Sequence, residues 1–245
     1  MDNPLTVRLR RQCHLDVADV DRIEHLCTDV RDVPRGVNLV REGERVERIH
    51  LILSGWAARY KLLPNGSRQI TALLLPGDLC DLRCSMLARM DDGIVALTPV
   101  QVAFVPPDAI ARLERTWPSI AHALSWHCLV EQATTRAWIV NMGRRHALER
   151  VAHLFCELAT RLAVVSDAPD QPPHFPLTQE EIADALGLTP VHVNRVLHEL
   201  RQRGLITSRR GGLTILDLPG LKEMAGFTDN YLHPAMAMPA EAATG

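Results

Sequence analysis

Apolar positions in the first half of the chain come in short runs cut by glycine and proline. In DVPRGVNLVREGERVERIHLILSGWAARYKLLPNGSRQITALLLPGDL, the runs IHLILSG and WAARYKLL lead into the turn PNGS and then into RQITALLLPGD. Strand and turn alternating at this spacing predict a small antiparallel barrel or roll. Gly43, Gly55, Gly66 and Gly77 fall at the turns, where a positive φ brings no Cβ clash. After Pro106, Pro107 and Pro118 the period changes. SIAHALSWHCLVEQATTRAWIVNMG carries Trp126, Val130, Ala133, Ala137 and Val140 at spacings of three and four, the stripe of one long helix. From Ser119 to Met142 that helix spans about 36 Å at 1.5 Å per residue. It is long for service inside one small domain, so its stripe is expected to pair with a second copy in a homodimer.

A second stripe, Ala147, Val151, Leu154, Phe155, Leu158 and Leu162, opens another core. SDAPDQPPHFP, rich in proline, cannot continue that helix and reads as a surface loop. The most informative segment follows: LTQEEIADALGLTPVHVNRVLHELRQRGLITSRRGGLTIL. Thr178 with Glu181 three residues on is a capping box, and Ile182, Ala183 and Leu186 give the buried face of a short helix. Gly187 ends it. Thr189 caps a second helix with Pro190 at its first position, where no amide proton is needed. Only Gly187, Leu188 and Thr189 separate the two, which forces a sharp angle and marks a helix-turn-helix.

On the second helix Val193, Val196, Leu197 and Leu200 point inward, leaving Val191, His192, Asn194, Arg195 and His198 on the outer or leading side. Such a helix fits the DNA major groove, where Arg forks onto guanine and Asn pairs with adenine. LITSRRGGLTIL reads as a hairpin wing whose Arg209 and Arg210 meet phosphate.

Charge sharpens this. The 245 residues carry Lys+Arg 27 against Asp+Glu 29, a formal net charge of -2, so no global basic field draws the protein to nucleic acid. Between positions 189 and 212, however, arginines 195, 201, 203, 209 and 210 face the single acid Glu199. All cations but Lys61 and Lys222 are arginine, a bias that GC-rich codons also produce. No apolar run has the length of a membrane span and the N-terminus lacks a signal-peptide core. The six cysteines are scattered over a chain that needs no staples. These features read as a soluble, cytoplasmic protein with reduced thiols and no membrane partner. G-x-S-x-G, H-E-x-x-H and phosphate-loop patterns are missing, and Asp91-Asp92 before glycine reads as a solvated turn, so an enzyme is not expected.

LTQEEIADALGLTPVHVNRVLHELRQRGLI, together with EGERVERIHLILSG and LLLPGD, resembles the cyclic-AMP receptor protein and fumarate-nitrate regulator (Crp/Fnr) family over most of residues 15 to 218. The resemblance implies an α+β fold: a cyclic-nucleotide-binding-like sensor β-roll with flanking helices over 1–118, a dimerisation helix over 119–144 and a winged helix-turn-helix over 145–220. A tail fills 221–245, Ala- and Pro-rich and without order from about Asp229. It also implies a homodimer on a palindromic promoter site of double-stranded DNA, with RNA polymerase as a partner. Thr178 and Thr189 then look like phosphate contacts, and Val191, Asn194 and Arg195 hold the recognition positions. Family members commonly carry Glu where this chain has Val191, which can touch a thymine methyl but cannot accept a bond from cytosine.

The effector stays unidentified at this point. Cyclic-nucleotide binders carry a glutamate and an Arg-Ser or Arg-Thr pair after PGD, whereas here Arg83 precedes Cys84 and no glutamate appears, which disfavours cyclic AMP. Cys13 and Cys27, fourteen apart, and Cys80 with Cys84 lack the clustering of iron-sulfur ligands. His127 beside Cys128 is a poor basis for haem. The competing reading is a nucleotide-sensing or protein-interaction module that does not bind DNA.

Overall fold

The computed structural model describes residues 3–166, 171–209 and 211–233. Helices α1 (Pro4–Gln12) and α2 (Val17–Glu24) precede eight strands: β1 (Val30–Val33), β2 (Asn38–Val40), β3 (Ile49–Ser54), β4 (Ala57–Leu62), β5 (Arg68–Leu74), β6 (Leu79–Cys80), β7 (Gly93–Ala96) and β8 (Val100–Val105). They form two antiparallel sheets of order β1-β8-β3-β6 and β2-β7-β4-β5, which close into the expected roll. The β4–β5 hairpin turns through PNGS, where the Asn65 side chain accepts from the Ser67 amide at 3.0 Å. Gly55 stands at φ +79°, and a Cβ there would lie 2.2 Å from the Pro99 carbonyl oxygen, so both conformation and space require glycine.

Helices α3 (Pro107–Thr116) and α4 (Pro118–Arg144) follow, then α5 (Ala147–Val165), β9 (His174–Phe175), α6 (Gln179–Leu186), α7 (Pro190–Gln202), β10 (Ile206–Arg209), β11 (Gly212–Ile215) and α8 (Leu218–Ala225). The inner faces of the roll pack with α1, α3 and the first half of α4 around Leu5, Leu9, Ile49, Leu51, Val102 and Ile120. The second core is not closed on itself. Phe155, Ile182, Val193 and Leu200 belong to one apolar cluster with Trp56, Ala58, Ile70 and Leu73 of the roll and Trp138 of α4. Phe175 sits at its centre, fully buried, 5.8 Å from the Trp56 ring and 5.7 Å from Phe155.

Two expectations need correction. His174–Phe175, taken for loop, is a strand paired with β11, because Phe175 is the plug of the shared core. Positions 167–170 of that loop lie outside the described residues. The tail is ordered through residue 233: Leu221 of α8 is fully buried, Leu232 is buried, and the Tyr231 hydroxyl donates to Glu157 at 2.8 Å. Residues 234–245 lie outside the described residues. On α4 the stripe expected at a dimer interface is divided. Trp126 and Val130 line a cavity against β5 and Ala133 is buried within the chain, whereas Leu129, Ile139 and Val140 are the exposed apolar side chains. The chain's own roll and C-terminal segment pack against part of this stripe and leave Val140 bare.

Candidate nucleic-acid interface

α6 starts as its sequence dictates. The Glu181 amide donates to Thr178 Oγ1 at 3.1 Å, and the Thr178 amide donates back to the Glu181 carboxylate at 2.7 Å. Gly187 ends the helix at φ +61°, a left-handed cap that glycine adopts without strain. Thr189 then caps α7, its Oγ1 accepting from the His192 amide at 3.2 Å, with Pro190 at the first position. Val193, Val196, Leu197 and Leu200 are buried. Val191, His192, Asn194, Arg195 and His198 are all exposed, so the division of α7 into inner and outer faces agrees with the sequence pattern.

The outer face is graded in how tightly it is held. Asn194 donates to the Gln179 side chain of α6 at 3.0 Å, and Arg201 donates to Ser208 Oγ at 2.9 Å. Arg203 pairs with Glu199. Arg195, His192 and His198 make no side-chain hydrogen bond or ion pair among the described residues, which leaves their donors facing solvent. Thr178 and Thr189 each use a lone pair in the cap and keep the hydroxyl proton. β10 and β11 form the wing, Arg209 pairing in register with Gly212. Arg210 lies outside the described residues.

Sequence reasoning missed what orients this unit. Arg35 of the roll donates to the Glu181 carboxylate at 2.7 Å, and Arg68 of β5 donates to Asp184 of α6 at 2.7 Å. Arg150 of α5 donates to the carbonyls of Leu186 at 2.9 Å and Met142 at 2.7 Å, joining the end of α4 to the turn of the motif. Deeper in, Asp78 of the roll pairs with Arg8 of α1 and with Arg161 of α5, the latter at 2.7 Å. Burial opposes the charge on Asp78, but the two guanidinium groups prevail and hold its pKa down at about 2. Arg161 also reaches Glu157, at 3.4 Å, whose carboxylate accepts from the Trp138 indole at 3.0 and 3.1 Å. Glu181, Asp184 and Leu186 stand inside the recognisable motif, but Arg35, Arg68 and Arg150 reach them from 146, 116 and 36 residues away, and spacing along a chain carries no such signal.

Inside the roll, Arg59 donates to Asp81 at 2.8 Å and to Asp92 at 3.0 Å, and lies 3.8 Å from Glu131 of α4. Burial works against its charge, but the carboxylates of Asp81 and Asp92 more than offset that, and its pKa rises. Asp92 is thus buried and paired, not part of a solvated turn, because Arg59 gives it an ion partner within the fold. His127 is buried and held neutral with a pKa lowered to about 4, chiefly by desolvation and then by Arg8. Among the described residues no three His, Cys, Asp or Glu side chains converge as metal ligands, and no helix is long and apolar enough to cross a membrane.

A sensor-type β-roll joined through a long helix to a winged helix-turn-helix defines a class of DNA-binding transcriptional regulators. Residues 30–116 match the cyclic nucleotide-binding domain and residues 149–224 the Crp-like helix-turn-helix domain. The chain is 32% identical over 212 residues to the nitrogen fixation regulation protein FixK of Bradyrhizobium diazoefficiens, covering 86% of this chain and 87% of that one. It is 24% identical to the transcriptional activator protein FnrA of Stutzerimonas stutzeri, over 92% of this chain and 98% of that one. The structure of FixK2 from Bradyrhizobium japonicum superposes with a TM-score of 0.70 at 25% identity, covering 80% of this chain and 96% of that one. The protein belongs to the Crp/Fnr family of transcriptional regulators.

The residues of the roll do not fit the cyclic nucleotide that the domain's name implies. A buried phosphate needs a cation free to face it. Arg59 is taken by two carboxylates that would repel a phosphate, and Arg83 is turned outward in a two-pronged contact with Glu114, each bond 2.7 Å.

Proposed function

We propose that the protein is a homodimeric regulator that reads a palindromic promoter site in double-stranded DNA through α7 and acts with RNA polymerase, its activity set by a signal other than a cyclic nucleotide. The observation that carries this reading is the outer face of α7: a capped, rigid helix that presents Arg195, His192 and His198 without partners in the chain. Arg195 forks onto guanine, Asn194 meets an adjacent base edge, and Val191 packs on a thymine methyl. Thr178 and Thr189 donate to backbone phosphates, the wing arginines Arg209 and Arg210 follow the backbone, and His192 and His198 flank the reading face.

The dimer forms along α4, through Val140 of the original stripe together with Leu129 and Ile139, which are left bare by the fold. Two α7 helices then enter successive major grooves about 34 Å apart. Family membership and the likeness to FixK support the reading. Selecting bound DNA from a random pool, followed by gel shifts in a salt series, tests it. Inverted half-sites one turn apart are the expected result. No retained DNA even in dilute buffer would overturn it and return the helix pair to protein contact.

A further inference from the structure

Gln179 is the first residue of α6 and Asn194 the fifth of α7. Both are exposed, and their side chains meet across the bend: Asn194 Nδ2 donates to Gln179 Oε1 at 3.0 Å. Each end of this bond stands on a fixed support. Gln179 follows Thr178, which is locked in its reciprocal cap with Glu181, and α6 is tied to the roll through Arg35 and Arg68. Asn194 follows Val193, fully buried in the shared core, which sets the rotation of α7 about its axis. Gln179 takes no part in the cap and makes no other side-chain hydrogen bond among the described residues. Water competes for both groups of an exposed amide pair, so the bond adds little to stability. Its effect is on direction.

An asparagine amide carries two hydrogens on its nitrogen and two lone pairs on its oxygen, and a half-turn of the side chain exchanges the two ends. Here Gln179 holds the nitrogen toward α6 and takes one of its hydrogens. One N–H and the oxygen are left for a ligand. One donor beside one acceptor complements adenine, whose major-groove edge offers N7 as acceptor and N6 as donor, whereas guanine offers the two acceptors N7 and O6. Against guanine the Asn194 oxygen would face O6 with no hydrogen between them, and turning the amide over would break the bond to Gln179. We infer that Gln179 is a positioning residue of the reading face: by fixing the polarity of the Asn194 amide it makes that residue select adenine over guanine. The inference rests on the DNA reading of α7 and adds a residue of α6 to its code.

The test uses full-length protein and single-base variants of the DNA site that the wild type selects. Asn194→Ala first locates the base pair read by that residue, as the position where preference collapses. Gln179→Ala should then cut the preference for adenine over guanine at that pair roughly three- to tenfold, with the preference at the Arg195 pair unchanged. Gln179→Glu keeps an acceptor oxygen at the same reach. It should retain the adenine preference while lowering affinity on every sequence, because its charge faces the phosphates. On an Asn194→Ala background, Gln179→Ala should change nothing further at that pair. Both Gln179 variants should keep the wild-type thermal midpoint. Wild-type preference in Gln179→Ala, a loss spread over every base pair, or a loss as large in Gln179→Glu as in Gln179→Ala would overturn the role of Gln179 and leave the DNA reading of α7 standing. So would an Asn194→Ala protein with wild-type preference throughout. A wild type that selects no DNA would overturn the DNA reading and this inference with it.

Discussion

Arg59 and Arg195 are the same residue in opposite circumstances. Arg59 lies inside the roll, its side chain 15% exposed, with Asp81 and Asp92 as fixed partners. Arg195 stands on the outer face of α7 with no partner in the described chain. The first has spent its donors on the fold, whereas the second keeps them for something outside it. Arg59 is therefore committed to the fold and Arg195 is left available to a partner, although composition counts both alike.

Breaking the contrast at its buried end should give the largest effect. Arg59→Ala leaves two buried carboxylates without a cation and should cost roughly 3–5 kcal/mol, read as a lower urea midpoint. Arg195→Ala should leave that midpoint unmoved.

Next in size is a pH effect on the buried histidines. His127 and His153 have native pKa values near 4, below the unperturbed value of about 6.5. The unfolded chain thus binds protons that the native chain refuses. Stability is full above about pH 6.5 and declines as pH falls toward about 4, by on the order of 3 kcal/mol per histidine. Urea denaturation at pH 7 and pH 5 should show the drop, and His153→Phe should flatten it.

At the exposed end, Arg195→Ala should cost roughly 1–3 kcal/mol of DNA binding and blunt discrimination at one base pair of the selected site. An equal loss on every sequence would make Arg195 a phosphate contact instead. The smallest effect is expected from Thr189→Ala, which removes the α7 cap and should lower thermal stability by about 1 kcal/mol.

The same contrast explains what was legible in the sequence. Turn glycines, the Thr178–Glu181 box, Thr189-Pro190 and the α7 stripe act within a few residues of themselves, so their spacing displays them. The outer face of α7 was readable because an inner face fixes it by subtraction. Arg59 with Asp92, Asp78 with Arg161, and Arg68 with Asp184 pair over 33, 83 and 116 positions, and nothing in local pattern announces such matches. The α4 stripe was legible as an apolar face but not in what covers it. Periodicity finds an apolar face but does not say which neighbour covers it, and here the covering comes partly from the chain's own roll and from Tyr231 and Leu232.

The cluster that Trp56, Trp138, Phe155 and Phe175 build together means that the DNA reader is not an interchangeable head. Severed at the bend between α4 and α5, it would carry half of an oily seam into water. Grafted onto a relative's sensor, it would meet a floor cut to another shape. If α7 reads DNA as proposed, changes in operator preference can accumulate on it alone, but the seam ties the inheritance of the reader to that of the sensor beneath it.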